Sequence, residues 1–129
     1  MELYIGGRGQ GKQQYVKNIH SKLLFSVYDE TKIDELFSGS EKKPVLIDHL
    51  HLWIKEKLKQ GDDPQKLISD IIMKYPDCVI ISDEIGNGLV PIEASDREYR
   101  DRTGKILIDL AKKAERVERI ICGLGQRLK

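Results

Sequence analysis

Apolar residues gather in five short runs along the chain: LYIG (3–6), LLFSVY (23–28), PVLIDHL (44–50), CVIISDE (78–84) and ERIICGL (118–124). The runs are mostly continuous rather than alternating. That pattern predicts strands covered on both faces, as in a parallel sheet. The stretches between them carry helical signals. GKQQYVKNIHSK follows a glycine-rich loop, and LHLWIKEKLKQ stops at Gly61. DPQKLISDIIMKY opens with Asp63 as a candidate N-cap and Pro64 at the first helical position. SDREYRDRTGKILIDLAKKAERV sets Ile106, Leu107, Leu110, Ala111 and Ala114 along one side of a long helix. Segment 29–43 is polar and is expected to hold one short helical turn.

Strands alternating with helices predict a three-layer α/β domain with right-handed crossovers, a mostly parallel sheet of about five to six strands with helices on both faces. A chain of 129 residues suits one domain, spanning 1–129. Hydrophobic residues make up 40% and charged residues 33%, which marks a folded rather than a disordered chain. With 22 basic and 21 acidic residues, the formal charge of +1 gives no electrostatic argument for nucleic acid or an acidic membrane as partner. No apolar run approaches the roughly 20 residues of a membrane span, and the N-terminus lacks a signal-peptide pattern. Cys78 and Cys122 each lie in an apolar run and are expected to be buried, reduced thiols, which suits a cytoplasmic location. No Cys-x-x-Cys pair suggests zinc.

The first run leads into GGRGQGKQ, residues 6–13. It fits the phosphate-binding pattern G-x-x-x-x-G-K-[ST] at Gly6, Gly11 and Lys12. It also sits where such a loop must sit, after a strand and before a helix. Glycines let the backbone wrap closely and turn N–H groups inward, so Gly6, Gly7, Arg8, Gly9, Gln10, Gly11, Lys12 and Gln13 are the candidate nucleotide site. Lys12 would reach the β- and γ-phosphates as a point charge. The alternative is a tight turn, glycine-rich for steric reasons alone. The last position should carry a hydroxyl for Mg²⁺ and carries Gln13 instead. Phosphate binding tolerates that exchange better than phosphoryl transfer does, because Mg²⁺ demands short, near-octahedral oxygen contacts.

P-loop enzymes place an acid at the end of a neighbouring strand to hold the metal. PVLIDH offers Asp48; VIISDE ends in Asp83 and Glu84. Asp48 and Glu84 are the candidate metal and catalytic carboxylates, the alternative being a helix cap or a solvated strand end. His49 and His51 are expected to be surface or capping residues rather than nucleophiles. Trp53 is expected in the core or at an interface. Arg97, Arg100 and Arg102 would either hold an anion or pair with neighbouring acids on a solvated face.

The stretch 83–129 resembles the end of the bifunctional adenosylcobinamide kinase / adenosylcobinamide-phosphate guanylyltransferase family. The residues that carry the likeness are Glu84, Gly86, Gly88, Val90 and Pro91, then Arg97, Tyr99, Arg100, Asp101 and Gly104. GGRGQGKQ is similar to the family's phosphate loop, and PVLIDHLHLW to its third strand, which ends in an acid. The resemblance implies a RecA-like P-loop fold and a trimeric homo-oligomer. It implies ATP or GTP with Mg²⁺ as cofactors. It further implies phosphorylation of the aminopropanol hydroxyl of a cobinamide, followed by GMP transfer through a GMP-histidine. The segment that bears the family's histidine is shortened here to DETKIDELFSGSEKK, which holds no histidine. The expected activity is therefore the kinase step of cobalamin biosynthesis without the guanylyl step. The alternatives are a non-catalytic nucleotide-binding or assembly homologue, and a kinase for another small alcohol.

Overall fold

The computed structural model describes residues 1–85 and 93–129. Strands β1 (Glu2–Gly6), β2 (Ser26–Tyr28), β3 (Val45–Ile47), β4 (Val79–Asp83), β5 (Arg116–Ile121) and β6 (Leu124–Arg127) form one sheet in the order β2-β3-β4-β1-β5-β6. The first five run parallel and β6 returns antiparallel to β5. The helices are α1 (Lys12–Ile19), α2 (Leu50–Lys59), α3 (Pro64–Lys74) and α4 (Ala94–Lys113), with a 3-10 turn at Ile33–Phe37 inside the polar segment. This is the RecA-like P-loop arrangement, with β4 between the strand that carries the phosphate loop and the strand that ends at Asp48.

The period-2 pleat divides the apolar strand residues between two cores. Leu3, Ile47, Ile80 and Val117 face α2, α3 and α4, where Trp53, Ile54, Ile68, Ile71, Ile106 and Leu110 are also buried. Tyr4, Leu46, Val79, Ile81 and Ile120 face the other way, toward Val16 of α1. Trp53 is a core residue, as expected. Its indole N–H donates to Asp34 at 2.9 Å, and Lys57, buried beside it, donates to the same carboxylate at 2.7 Å. The α3 start is built as the sequence predicts: Pro64 opens the helix and the Asp63 carboxylate accepts from the N–H groups of Gln65 and Lys66.

Three expectations are corrected. The run at 23–28 is strand only from Ser26, and Leu23 and Leu24 are exposed. The run ERIICGL is not one strand. Cys122 (φ 50) and Gly123 (φ 74) are both left-handed and turn the chain into β6, with Ile121 opposite Leu124. Two positive φ values in a two-residue loop suit the twist of antiparallel strands, and cysteine is not among the residues that usually signal such a turn. Cys122 is thereby exposed, whereas Cys78 is buried and its thiol pushed up to about 12 by desolvation. Among the described residues, no helix is long and apolar enough to cross a membrane.

Candidate functional site

The site lies at the C-terminal edge of the parallel strands, where open α/β sheets bind ligands. β1 ends at Gly6, whose neighbours in the sheet are Asp83 on one side and Ile120 on the other. Gly6 has to be glycine: a Cβ there would stand 2.5 Å from the backbone carbonyl oxygen of Ile120. The loop then turns through two left-handed glycines, Gly9 (φ 71) and Gly11 (φ 82), a conformation that side chains with a Cβ resist. Gly11 caps α1. No side chain caps that helix, and no acid stands in its first turn, so its N-terminal N–H groups keep their attraction for an external anion.

The loop is braced from the far side by the β5–β6 turn. The Gln10 side-chain oxygen accepts from the Cys122 N–H at 2.7 Å, and the Gln10 carbonyl from the Gly123 N–H at 2.8 Å. The non-glycine, left-handed φ of Cys122 thus aims an N–H at the glycine loop. Nothing in the strand-like run ERIICGL signals this role.

Inside the loop, the Lys12 side chain is buried. Its ammonium donates to the Gly7 carbonyl at 2.7 Å and pairs with the Asp83 carboxylate at 2.7 Å. Asp83 is held in turn by His51. The Asp83 backbone N–H donates to His51 Nδ1 at 3.1 Å, and His51 Nε2 lies 3.3 Å from the second carboxylate oxygen. These contacts fit a neutral imidazole with its proton on Nε2. Burial lowers the affinity of His51 for a second proton and outweighs the opposing pull of Asp83.

Across the cavity, Gln13 stands where a hydroxyl residue was expected. Its amide Nε2 donates to Asp48 at 2.8 Å. The other Asp48 oxygen accepts the N–H of His49, also at 2.8 Å. His49 takes a left-handed φ of 57 at the start of α2 and lies 2.9 Å from Glu30. Burial disfavours its charged form, but the bond to Glu30 and the charges of Asp48 and Glu30 prevail and raise its pKa. Arg8 to Gln14, Asp48, His49, His51 and Asp83 enclose a cavity of about 720 Å³.

The structure thus brings Lys12, Gln13 and Asp48 together. It turns Glu84 elsewhere: Arg119 grips that carboxylate with two bonds of 2.7 and 3.0 Å. The acid that meets Lys12 is the preceding residue, Asp83. Alternation along the strand end separates the two neighbours, and the sheet register that puts Asp83 beside Gly6 selects between them. His51 was likewise missed, because its partner is 32 residues away. Arg102 lies near Asp63 and Glu98, at 3.4 and 3.8 Å, on a solvated face. The glycine loop expected at Gly86–Gly88, its exit at Pro91, and the apolar Leu89, Val90 and Ile92 lie outside the described residues.

The family model described as cobinamide kinase / cobinamide phosphate guanyltransferase matches residues 11–128. The bifunctional adenosylcobalamin biosynthesis protein CobP of Pseudomonas aeruginosa is 34% identical over 92 residues, which cover 66% of this chain and 53% of that protein. The chain therefore spans about half the length of the curated relative it matches. The family match begins within the glycine loop, at Gly11.

Proposed function

The chain belongs to the cobinamide kinase / cobinamide phosphate guanyltransferase family, and from that premise we propose that it binds a nucleoside triphosphate at Gly6–Gln13 and transfers a phosphoryl group to a cobinamide-type alcohol in cobalamin biosynthesis. The observation that carries the reading is the buried Lys12 ammonium, held inside a glycine loop at an uncapped helix start and facing Asp48 across a cavity open to ligand. Phosphoryl transfer asks a protein chiefly for position and electrostatic stabilisation. Loop N–H groups and the start of α1 would cradle the phosphates. Lys12 would neutralise charge on the transferred group. Asp83 is assigned to the acid role at the end of β4 in place of Glu84.

The oxygens near Gln13 are compatible with Mg²⁺. Asp48 keeps lone pairs beyond the two it offers Gln13 and His49, and the Gln13 side-chain carbonyl is a neutral oxygen donor. Asp48 and Gln13 would hold the ion, which when bound neutralises charge on the nucleotide phosphates. No guanylyl step is assigned to this chain. His51 is engaged with Asp83 at both ring nitrogens, His49 is bonded to Glu30 through Nδ1, and His20 bonds Glu2 at the opposite end of the sheet. A homo-oligomer, a trimer on the resemblance, belongs to the same reading. An apolar groove with exposed Ile108 and Leu128 between α4 and the C-terminal strand supports it.

The test is calorimetric titration of ATP and of GTP, with and without Mg²⁺, beside a Lys12→Ala control, followed by turnover with adenosylcobinamide. Micromolar binding lost in the control, together with turnover, supports the kinase. A second reading, a nucleotide-binding homologue without chemistry, is favoured by one observation: the Gln13 amide occupies the Asp48 oxygen that a hydroxyl residue would leave for metal. Gln13→Ser separates the two. A kinase with an altered metal shell keeps or gains rate, and a chain without an acceptor pocket stays inactive.

A further inference from the structure

Among the described residues that line the cavity, and imidazoles aside, the formal charges cancel. Arg8 and Lys12 on the cation side face Asp48 and Asp83 on the anion side. A site meant for phosphate would gain from a surplus of positive charge, and this one gives its most buried cation an internal partner. Among the described residues, Lys12 makes one ion pair, with Asp83, and its second contact is the neutral Gly7 carbonyl. The carboxylate of Asp83 thus stands where an incoming phosphate oxygen would have to meet the ammonium. It is not a mobile surface group. The sheet register fixes its backbone beside Gly6, and His51 holds both its N–H and its outer oxygen.

We propose that Asp83 is an internal latch on the phosphate loop, a counter-ion that a ligand must evict from Lys12 before it binds, and that His51 is the positioning residue that keeps the evicted carboxylate hydrogen-bonded. The inference rests on the reading of Gly6–Gln13 as a phosphate site. It also sets the class of ligand. A single anion such as inorganic phosphate brings too little to displace a carboxylate already seated at 2.7 Å. A di- or triphosphate, bonded at the same time by the loop N–H groups and the start of α1, brings enough. Eviction does not strand the carboxylate, because its contact with His51 Nε2 is made by the oxygen that does not touch Lys12. The latch costs affinity and gives selectivity, since like charges facing each other in a desolvated site are among the stronger discriminators.

The experiment is calorimetric titration of ATP and of inorganic phosphate into wild type, Asp83→Asn, Asp83→Ala, His51→Ala and His51→Gln, and into Asp83→Asn combined with Lys12→Ala or with His51→Ala. Removing the carboxylate is expected to tighten ATP by about tenfold or more and to make inorganic phosphate binding measurable. Both gains are expected to vanish when Lys12 is also removed. His51→Ala is expected to weaken ATP severalfold. His51→Gln, whose amide can accept and donate in the same places, should restore it. In the Asp83→Asn background the His51→Ala penalty should disappear, which a merely structural role would not produce. ATP affinity unchanged or weaker in both folded Asp83 variants would overturn the latch. Wild type and variants that all fail to bind ATP, while Asp83→Asn gains inorganic phosphate, would sink the nucleotide reading and keep the latch. A His51→Ala penalty that persists without the Asp83 carboxylate would overturn the role given to His51.

Discussion

The first glycine of the loop offers the sharpest test of how the fold makes the site. In Gly6→Ala the new methyl carbon would lie 2.5 Å from the Ile120 carbonyl oxygen, half an ångström inside the 3.0 Å below which such contacts do not occur. The obstructing atom is backbone, in the strand paired directly with β1. No rotamer change relieves it, so β1 and β5 must part at the very place where the loop leaves the sheet. Forced overpacking of this kind costs about 1–3 kcal/mol. At a urea m-value of about 2 kcal/mol/M, a loss of about 2 kcal/mol lowers the unfolding midpoint by about 1 M. The next residue supplies the control. A Cβ on Gly7 would meet only the Gln10 Cγ at 3.6 Å, an ordinary contact, and its φ is not left-handed. Gly7→Ala should leave the midpoint within about 0.3 M of wild type. Urea denaturation followed by circular dichroism on the three proteins decides the matter. Equal midpoints for Gly6→Ala and wild type would refute the claim that close approach to Ile120 dictates glycine. Equal losses in both variants would mean that the loop is sensitive to any side chain.

Other perturbations follow from the same contacts. Asp34→Ala should cost about 1–3 kcal/mol in urea melts, because it strips a partner from both buried Lys57 and the Trp53 indole; Lys57→Met in that background should recover part of the loss. His51 has a folded pKa lowered from 6.5, so the unfolded chain takes the proton first and stability falls as pH drops below about 6.5; His51→Gln should flatten that part of the stability–pH curve, and an unchanged slope would contradict the buried neutral ring. Cys122→Asn should raise stability by about 0.5–1 kcal/mol in thermal melts, since asparagine accepts the left-handed φ more readily than cysteine does and leaves the N–H on Gln10 in place. Ile71→Ala, in the three-helix core, should lose about 2–5 kcal/mol, and its adenine nucleotide affinity in the folded fraction should stay at the wild-type value.

The sequence by itself determined the class of fold and the place of the loop. Continuous apolar runs separated by amphipathic stretches leave a chain little choice but a covered parallel sheet, and Gly6-x4-Gly11-Lys12 between strand and helix is a local pattern. Asp63 and Pro64 wrote the start of α3 into two consecutive residues. The tertiary structure decided everything that depends on which distant groups meet. Asp83 rather than Glu84 faces Lys12 because β4 pairs with β1 in one register, and a shift of a single residue would exchange their sides. Gln13 answers the missing hydroxyl by bonding Asp48, 35 residues away, a contact no local pattern encodes. The bend at Cys122 was hidden because its left-handed backbone is held by hydrogen bonds to Gln10, 112 residues back along the chain. Local sequence specifies elements through short-range dihedral and burial preferences. The pairing of charges across the cavity is specified only when the sheet fixes the ends of its strands side by side.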